Sequence, residues 1–72
     1  MTPNETARVQ TYLQRKFNNS AFRLVRRPQA PDSVEVLLGD EFIGVVYRDE
    51  DEGELSFSFT MCMLEEDLPT NY

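Results

Sequence analysis

Four stretches of the chain alternate apolar and polar residues with the two-residue period of a strand: Phe22–Arg26, Val34–Leu38, Glu41–Tyr47 and Leu55–Met63. Ahead of them, Val9, Tyr12, Leu13, Lys16 and Phe17 recur at three- and four-residue spacing, which predicts one helix over about residues 3–17 with the Lys16 stem along the edge of its stripe. Thr2-Pro3-Asn4-Glu5 supplies a capping box with proline at the first helical position, and Asn18-Asn19 supplies a left-handed stop. The pattern therefore predicts an α+β fold, an N-terminal helix packed on one face of a four-stranded antiparallel β-meander (α-β-β-β-β). Residues 1–64 form the single domain. The acidic C-terminal tail 65–72 fits either a short helical turn ended by Pro69 or a disordered end.

Turn chemistry sets the expected register. Gly39-Asp40 suits a two-residue type II′ hairpin, which pairs Leu38 with Glu41, Val36 with Ile43 and Val34 with Val45. A loop over Arg48–Glu54 then places Tyr47 opposite Leu55, Val45 opposite Phe57 and Ile43 opposite Phe59. Pro28–Asp32 brings Leu24 opposite Val36 and Phe22 opposite Leu38. Every pairing puts apolar side chains on one face. The predicted core is Phe22, Leu24, Val34, Val36, Leu38, Ile43, Val45, Tyr47, Leu55, Phe57, Phe59 and Met61, covered by Val9, Leu13 and Phe17.

One helix cannot cover both faces of this sheet. The second face carries Leu37 beside Phe42, with Val25, Val46 and Arg23 nearby. These five are candidate partner-contact residues, weighed against scattered surface hydrophobes of the ordinary kind. The edges differ as well. The first strand carries arginines and ends at Pro28, both of which blunt an edge, whereas Leu55–Leu64 has no charge and no proline. That edge is expected to pair with a second chain or to be covered by the tail.

Charge is distributed unevenly. The 72 residues carry a net charge of −6, with six of the seven basic groups before residue 32 and twelve of the thirteen acids from residue 32 onward. Mutual neutralisation within one small fold is the expected outcome. Arg23, Arg26 and Arg27 on the first strand, with Arg8, Arg15 and Lys16 on the helix, form the one candidate nucleic-acid surface. The acidic end of the chain opposes tight phosphate binding.

Catalytic chemistry finds little support. Histidine is absent and Cys62 is the sole cysteine, which leaves no imidazole base, no redox pair and no disulfide. Cys62 reads as a surface or interface thiol. Asp49–Glu54 resembles a calcium loop only loosely: glycine stands at loop position five and Thr60 at position twelve. No metal, cofactor or catalytic residue is assigned. The three glycines form no phosphate-binding loop, and Gly44 fits either a twist or a close backbone approach. The N-terminal sequence has no signal-peptide character and no apolar run spans a membrane, so a cytoplasmic location is expected.

The run Leu38-Gly39-Asp40-Glu41-Phe42-Ile43-Gly44-Val45-Val46, continuing through Arg48–Glu54, resembles a family of short bacterial proteins defined only as a domain of unknown function. Thr2–Glu5, Arg8-Val9-Gln10, Tyr12-Leu13 and Arg27-Pro28 are similar to the same family. The resemblance covers nearly the whole chain, implies a stand-alone domain and brings no activity with it. The functional expectation is a non-catalytic, cytosolic protein-interaction module, a homodimer through the open sheet face or the last strand's edge. The alternative is a weak RNA- or DNA-contacting accessory protein using Arg23, Arg26 and Arg27.

Overall fold

The computed structural model describes residues 1–70, so the last two positions of the tail, 71 and 72, lie outside the described residues. Helix α1 spans Pro3–Lys16 and is followed by strands β1 (Phe22–Arg26), β2 (Ser33–Leu38), β3 (Glu41–Asp51) and β4 (Glu54–Thr60), then a 3-10 turn at Glu65–Asp67. The strands form one antiparallel sheet in the order β1-β2-β3-β4. This is the predicted α-β-β-β-β meander.

The helix begins where its capping box places it. The Glu5 amide donates to the Thr2 hydroxyl at 3.0 Å, and the Thr2 amide donates to the Glu5 carboxylate at 3.0 Å. Asn18, at φ 50°, ends it in the left-handed conformation that asparagine tolerates. The buried stripe is rotated from the predicted one. Thr6 and Leu13 are buried with Val9 partly so, while Tyr12, Lys16 and Phe17 turn outward. Phe17 still stacks on Phe22, with ring centroids 5.3 Å apart.

The rotation has a polar cause. The Leu24 amide donates to the Gln10 side chain at 2.9 Å, and the Gln14 amide nitrogen donates to the Phe22 carbonyl at 2.9 Å. The two glutamines, four residues apart on one helix face, satisfy backbone groups of edge strand β1. The helix therefore packs chiefly on β1. Its cover falls away toward β4.

The register of β1 on β2 is the predicted one, Leu24 opposite Val36 and Phe22 opposite Leu38. The Gly39-Asp40 turn, with Gly39 at φ 65°, also pairs Leu38 with Glu41. Beyond Leu37–Phe42 the register departs from prediction, because a bulge in β3 shifts the pairing: Val36 faces Gly44, Glu35 faces Val45 and Val34 faces Val46. A one-residue shift exchanges the two faces of a strand. Val46 is thus a core residue at 1% exposure, and Val45 and Tyr47 leave the core for the open face. Gly44 accommodates the bulge. A Cβ there would lie 2.7 Å from the Phe59 ring and against the Thr60 carbonyl.

The β3–β4 connection also departs from prediction. The Arg48–Glu54 segment is no loop: β3 continues to Asp51, and a two-residue turn at Glu52-Gly53 returns the chain at Glu54. Both turn residues have positive φ, 53° and 81°, as a type I′ hairpin requires. Phe57 then faces Arg48 and Phe59 faces Val46. The far end of this hairpin, where β3 runs past its last pairing with β2, is a two-stranded acidic ribbon. Pairing of β4 ends at Thr60, and Met61, like Leu55, is exposed. The core comprises Leu13, Phe22, Leu24, Val34, Val36 and Val46, with Met1, Val9, Leu38, Ile43, Phe57 and Phe59 packed around it.

Candidate functional site

The open face is where the structure brings most of the candidate contact residues together. One row across the sheet is Arg23, Leu37 and Phe42; the next is Val25, Glu35, Val45 and Thr60; the third is Ser33, Tyr47 and Ser58. Leu37 and Phe42 are direct partners, with Phe42 57% exposed. Arg23 and Val25 lie beside them, exposed. Val46 is the one candidate that the structure removes, since the bulge buries it. The same shift brings Val45 and Tyr47 to this face, and Tyr47 is 49% exposed. Gly44 was the signal that could have revealed them, as glycine within a strand often marks a bulge.

Between Phe42, Val45, Tyr47, Thr60 and Cys62 lies a hollow of about 270 Å³. It is smaller than most sites that enclose a small molecule, roughly 300–1,000 Å³. Cys62 itself is free and exposed.

The arginines of the first strand do not share one surface. Arg23 lies on the open face, and so does Arg27, which donates to the Ser33 hydroxyl at 3.4 Å and sits 3.8 Å from Glu35. Arg26 pairs with Val34 across the ladder and so belongs to the helix side of the sheet. Neutralisation is partial. Among the described residues the ion pairs are Arg27–Glu35, Arg48–Glu5 at 3.0 Å and Arg48–Glu50 at 3.4 Å, which leaves Arg8, Arg15, Lys16, Arg23 and Arg26 without an acidic partner.

A cleft of about 770 Å³ opens at the helix N-terminus, where Thr2, Glu5, Arg26, Asp32 and Arg48 are among its lining residues. Glu5 is not free to act there as a base. Its carboxyl is held below the usual carboxylate range by the Thr2 amide and then by the Arg48 guanidinium, both of which favour the ionised form. Arg48 is correspondingly held more firmly protonated by Glu5. Asp49–Glu54 alternate along the ribbon, and no three acidic or thiol side chains converge on a metal-sized site among the described residues. No helix among the described residues is long and apolar enough to cross a membrane.

Fold and site together define a small α+β protein with, among the described residues, one α-helix and an open antiparallel sheet whose outer face carries an apolar patch among polar and charged side chains. Residues 5–67 match the family described as "Protein of unknown function (DUF3126)", and the chain belongs to that family. No curated protein and no solved structure matches the chain.

Proposed function

We propose that this protein is a non-catalytic, cytosolic interaction module that self-associates through the open face of its sheet. The supporting observation is the bulge at Gly44. It buries Val46 and brings Val45 and Tyr47 beside Leu37, Phe42 and Val25, so five apolar side chains share a face that no other part of the described chain covers. The charges around them are few: Arg23 at one margin, and the Arg27–Glu35 pair, which is internally neutral. A surface of five apolar side chains around Glu35, whose charge Arg27 offsets, suits a second copy of itself. Two such faces, packed about 10 Å apart, form a sheet sandwich with a helix on each outer side.

The experiment is light scattering on the wild type and on the double substitution Leu37→Ser/Phe42→Ser. Both side chains lie outside the core, so the variant keeps the fold by circular dichroism and scatters as a smaller species than the wild type. A monomeric wild type, or a variant that associates as the wild type does, refutes the reading. A nucleic-acid role is the less favoured reading, because Arg23 and Arg26 occupy opposite faces. Salt-sensitive micromolar binding to RNA or DNA that disappears on Arg23→Gln/Arg26→Gln/Arg27→Gln would reverse that preference.

A further inference from the structure

On the opposite side of the sheet, the offset of the helix toward β1 leaves a groove of about 520 Å³ between α1 and β4. Val9, Tyr12 and Leu13 line its helix side, Phe57 and Phe59 its strand side, and Val46 is also part of its lining. Tyr12 is 59% exposed there. Arg8 lines the groove as well, as does Glu5, whose charge Arg48 offsets, and along the outer helix face Arg8 and Tyr12 continue into a shallow basic strip with Arg15 and Lys16. None of the strip's three cations has an acidic partner among the described residues.

The chain itself contains a segment with the complementary character. Every residue from Met61 to Thr70 is exposed. Met61, Met63, Leu64 and Leu68 stand in water, flanking Glu65, Glu66 and Asp67, which also have no ion-pair partner among the described residues. We infer that the C-terminal segment Met61–Leu68 of a second copy docks in the groove between α1 and β4. Its methionines and leucines cover Val9, Phe57 and Phe59, and its three acids face Arg8, Arg15 and Lys16.

Within one chain the segment does not occupy the groove: every residue from Met61 to Thr70 is exposed, and none of them lines it. A tail that lies outside its own groove is free to enter a neighbour's, and two copies exchange tails reciprocally. Methionine suits this role because its flexible thioether fills an irregular groove. The contact lies across the sheet from Leu37 and Phe42, so either contact can fail without the other.

Cys62, the only cysteine, makes a direct test possible. A nitroxide is attached to Cys62 of unlabelled Leu37→Ser/Phe42→Ser protein, in which the open-face contact is removed, and this is mixed with isotope-labelled protein that carries Cys62→Ser as well, so that only the remaining contacts between copies broaden the observed resonances. Strongest broadening at the amides of Arg8, Tyr12 and Phe57 is the expected result. Broadening of those amides only when nitroxide and isotope share one chain means self-docking, and overturns the proposal. So does broadening centred on the open face at Val25 and Val45, and so does a mixture without broadening. Charge exchange in the same Leu37→Ser/Phe42→Ser background supplies the second arm. Arg8→Glu/Arg15→Glu weakens association roughly two- to thirty-fold, the range for two exposed ion pairs, and adding Glu65→Arg/Glu66→Arg restores it. Failure of the restoration overturns the charge assignment. Met63→Ser/Leu64→Ser alters only exposed side chains, so unchanged association in that variant overturns the apolar part.

Discussion

The two halves of the sheet are built to different degrees of completion. In the β1–β2 half, Phe22, Leu24, Val34 and Val36 are buried, and Gln10 and Gln14 of the helix occupy backbone groups along the outer edge. In the β3–β4 half no residue of β4 is fully buried, and the edge carries neither a proline nor a charge from Leu55 to Thr60. The difference follows from a single helix. A strip about 10 Å wide covers roughly two strands at the usual spacing of nearly 5 Å, and the glutamines anchor that strip over β1. A domain of this size depends strongly on whatever surface it can bury. The unfinished half is thus where association can add stability.

Truncating an aromatic side chain in each half tests the contrast most severely. Phe22→Ala removes a buried ring that also stacks on Phe17, and should cost about 3–5 kcal/mol. Against a total stability of roughly 4–11 kcal/mol for this length, such a loss is severe. Phe57→Ala, in the half-covered strand, should cost less than half as much in dilute solution. Equal losses in urea denaturation would erase the distinction between the halves.

The bulge at Gly44 decides which β3 side chains belong to each face, and Gly44→Ala tests it. The added methyl meets the Phe59 ring and the Thr60 carbonyl, one of them backbone that cannot turn aside. Overpacking of this kind costs roughly 1–3 kcal/mol. Chemical-shift changes should concentrate on Phe59, Thr60 and Met61, leaving β1 unaffected; changes spread evenly over both halves would contradict the assigned role.

The helix and the turn between β2 and β3 were legible in the sequence because they depend on local chemistry: Thr2 to Glu5 for the cap, Asn18 for the stop, Gly39-Asp40 for the turn. The later register was not. Phe42, Gly44 and Val46 on one parity, and Ile43, Val45 and Tyr47 on the other, give two nearly equivalent apolar patterns, so alternation could not select the buried set. The Glu52-Gly53 turn was hidden in a run of charges that reads as a solvated loop. The orientation of the helix was hidden for another reason: Gln10 and Gln14 act on a strand distant in sequence, and no local periodicity records that contact. Of the five candidate contact residues, Leu37, Phe42, Val25 and Arg23 lie on the face predicted for them. Val46 lies on the other face, one residue of register away.

The edges can be compared directly. Gln10→Ala leaves the Leu24 amide without its acceptor and should destabilise the fold by about 1–2 kcal/mol. The Leu24 amide is expected to lose its hydrogen-exchange protection in that variant. The outward amides of β4, from Ser56 to Thr60, should be unprotected in dilute wild type and gain protection as concentration rises. Protection of β4 at every concentration would show that its edge is as well covered as that of β1.

One ion pair ties the helix to the unfinished half. Arg48 of β3 binds Glu5, whose carboxyl titrates below its usual range in the folded state. A group depressed in this way contributes fully above the unfolded carboxyl range, and its contribution disappears as the pH falls through the folded value. Acid should therefore loosen the β3 contact, and Glu5→Gln should flatten the acid limb of the stability curve while lowering the neutral plateau. An unchanged acid limb in Glu5→Gln would show that other carboxylates dominate it.

The smallest effect is expected at the ribbon tip, the region farthest from the covered half. Glu52 holds φ 53°, a conformation that costs most side chains about 1 kcal/mol and asparagine less. It also stands among Asp49, Glu50, Asp51 and Glu54, so its charge adds repulsion within one hairpin. Asn-Gly is the sequence that a type I′ turn prefers. Glu52→Asn should therefore stabilise the protein by up to about 1 kcal/mol, because it relieves backbone strain and removes one like charge. Salt separates the two contributions: the charge component fades as ionic strength rises, whereas the backbone component persists. A gain that vanishes entirely in high salt would assign it all to charge, and destabilisation by Glu52→Asn would contradict the type I′ geometry of the tip.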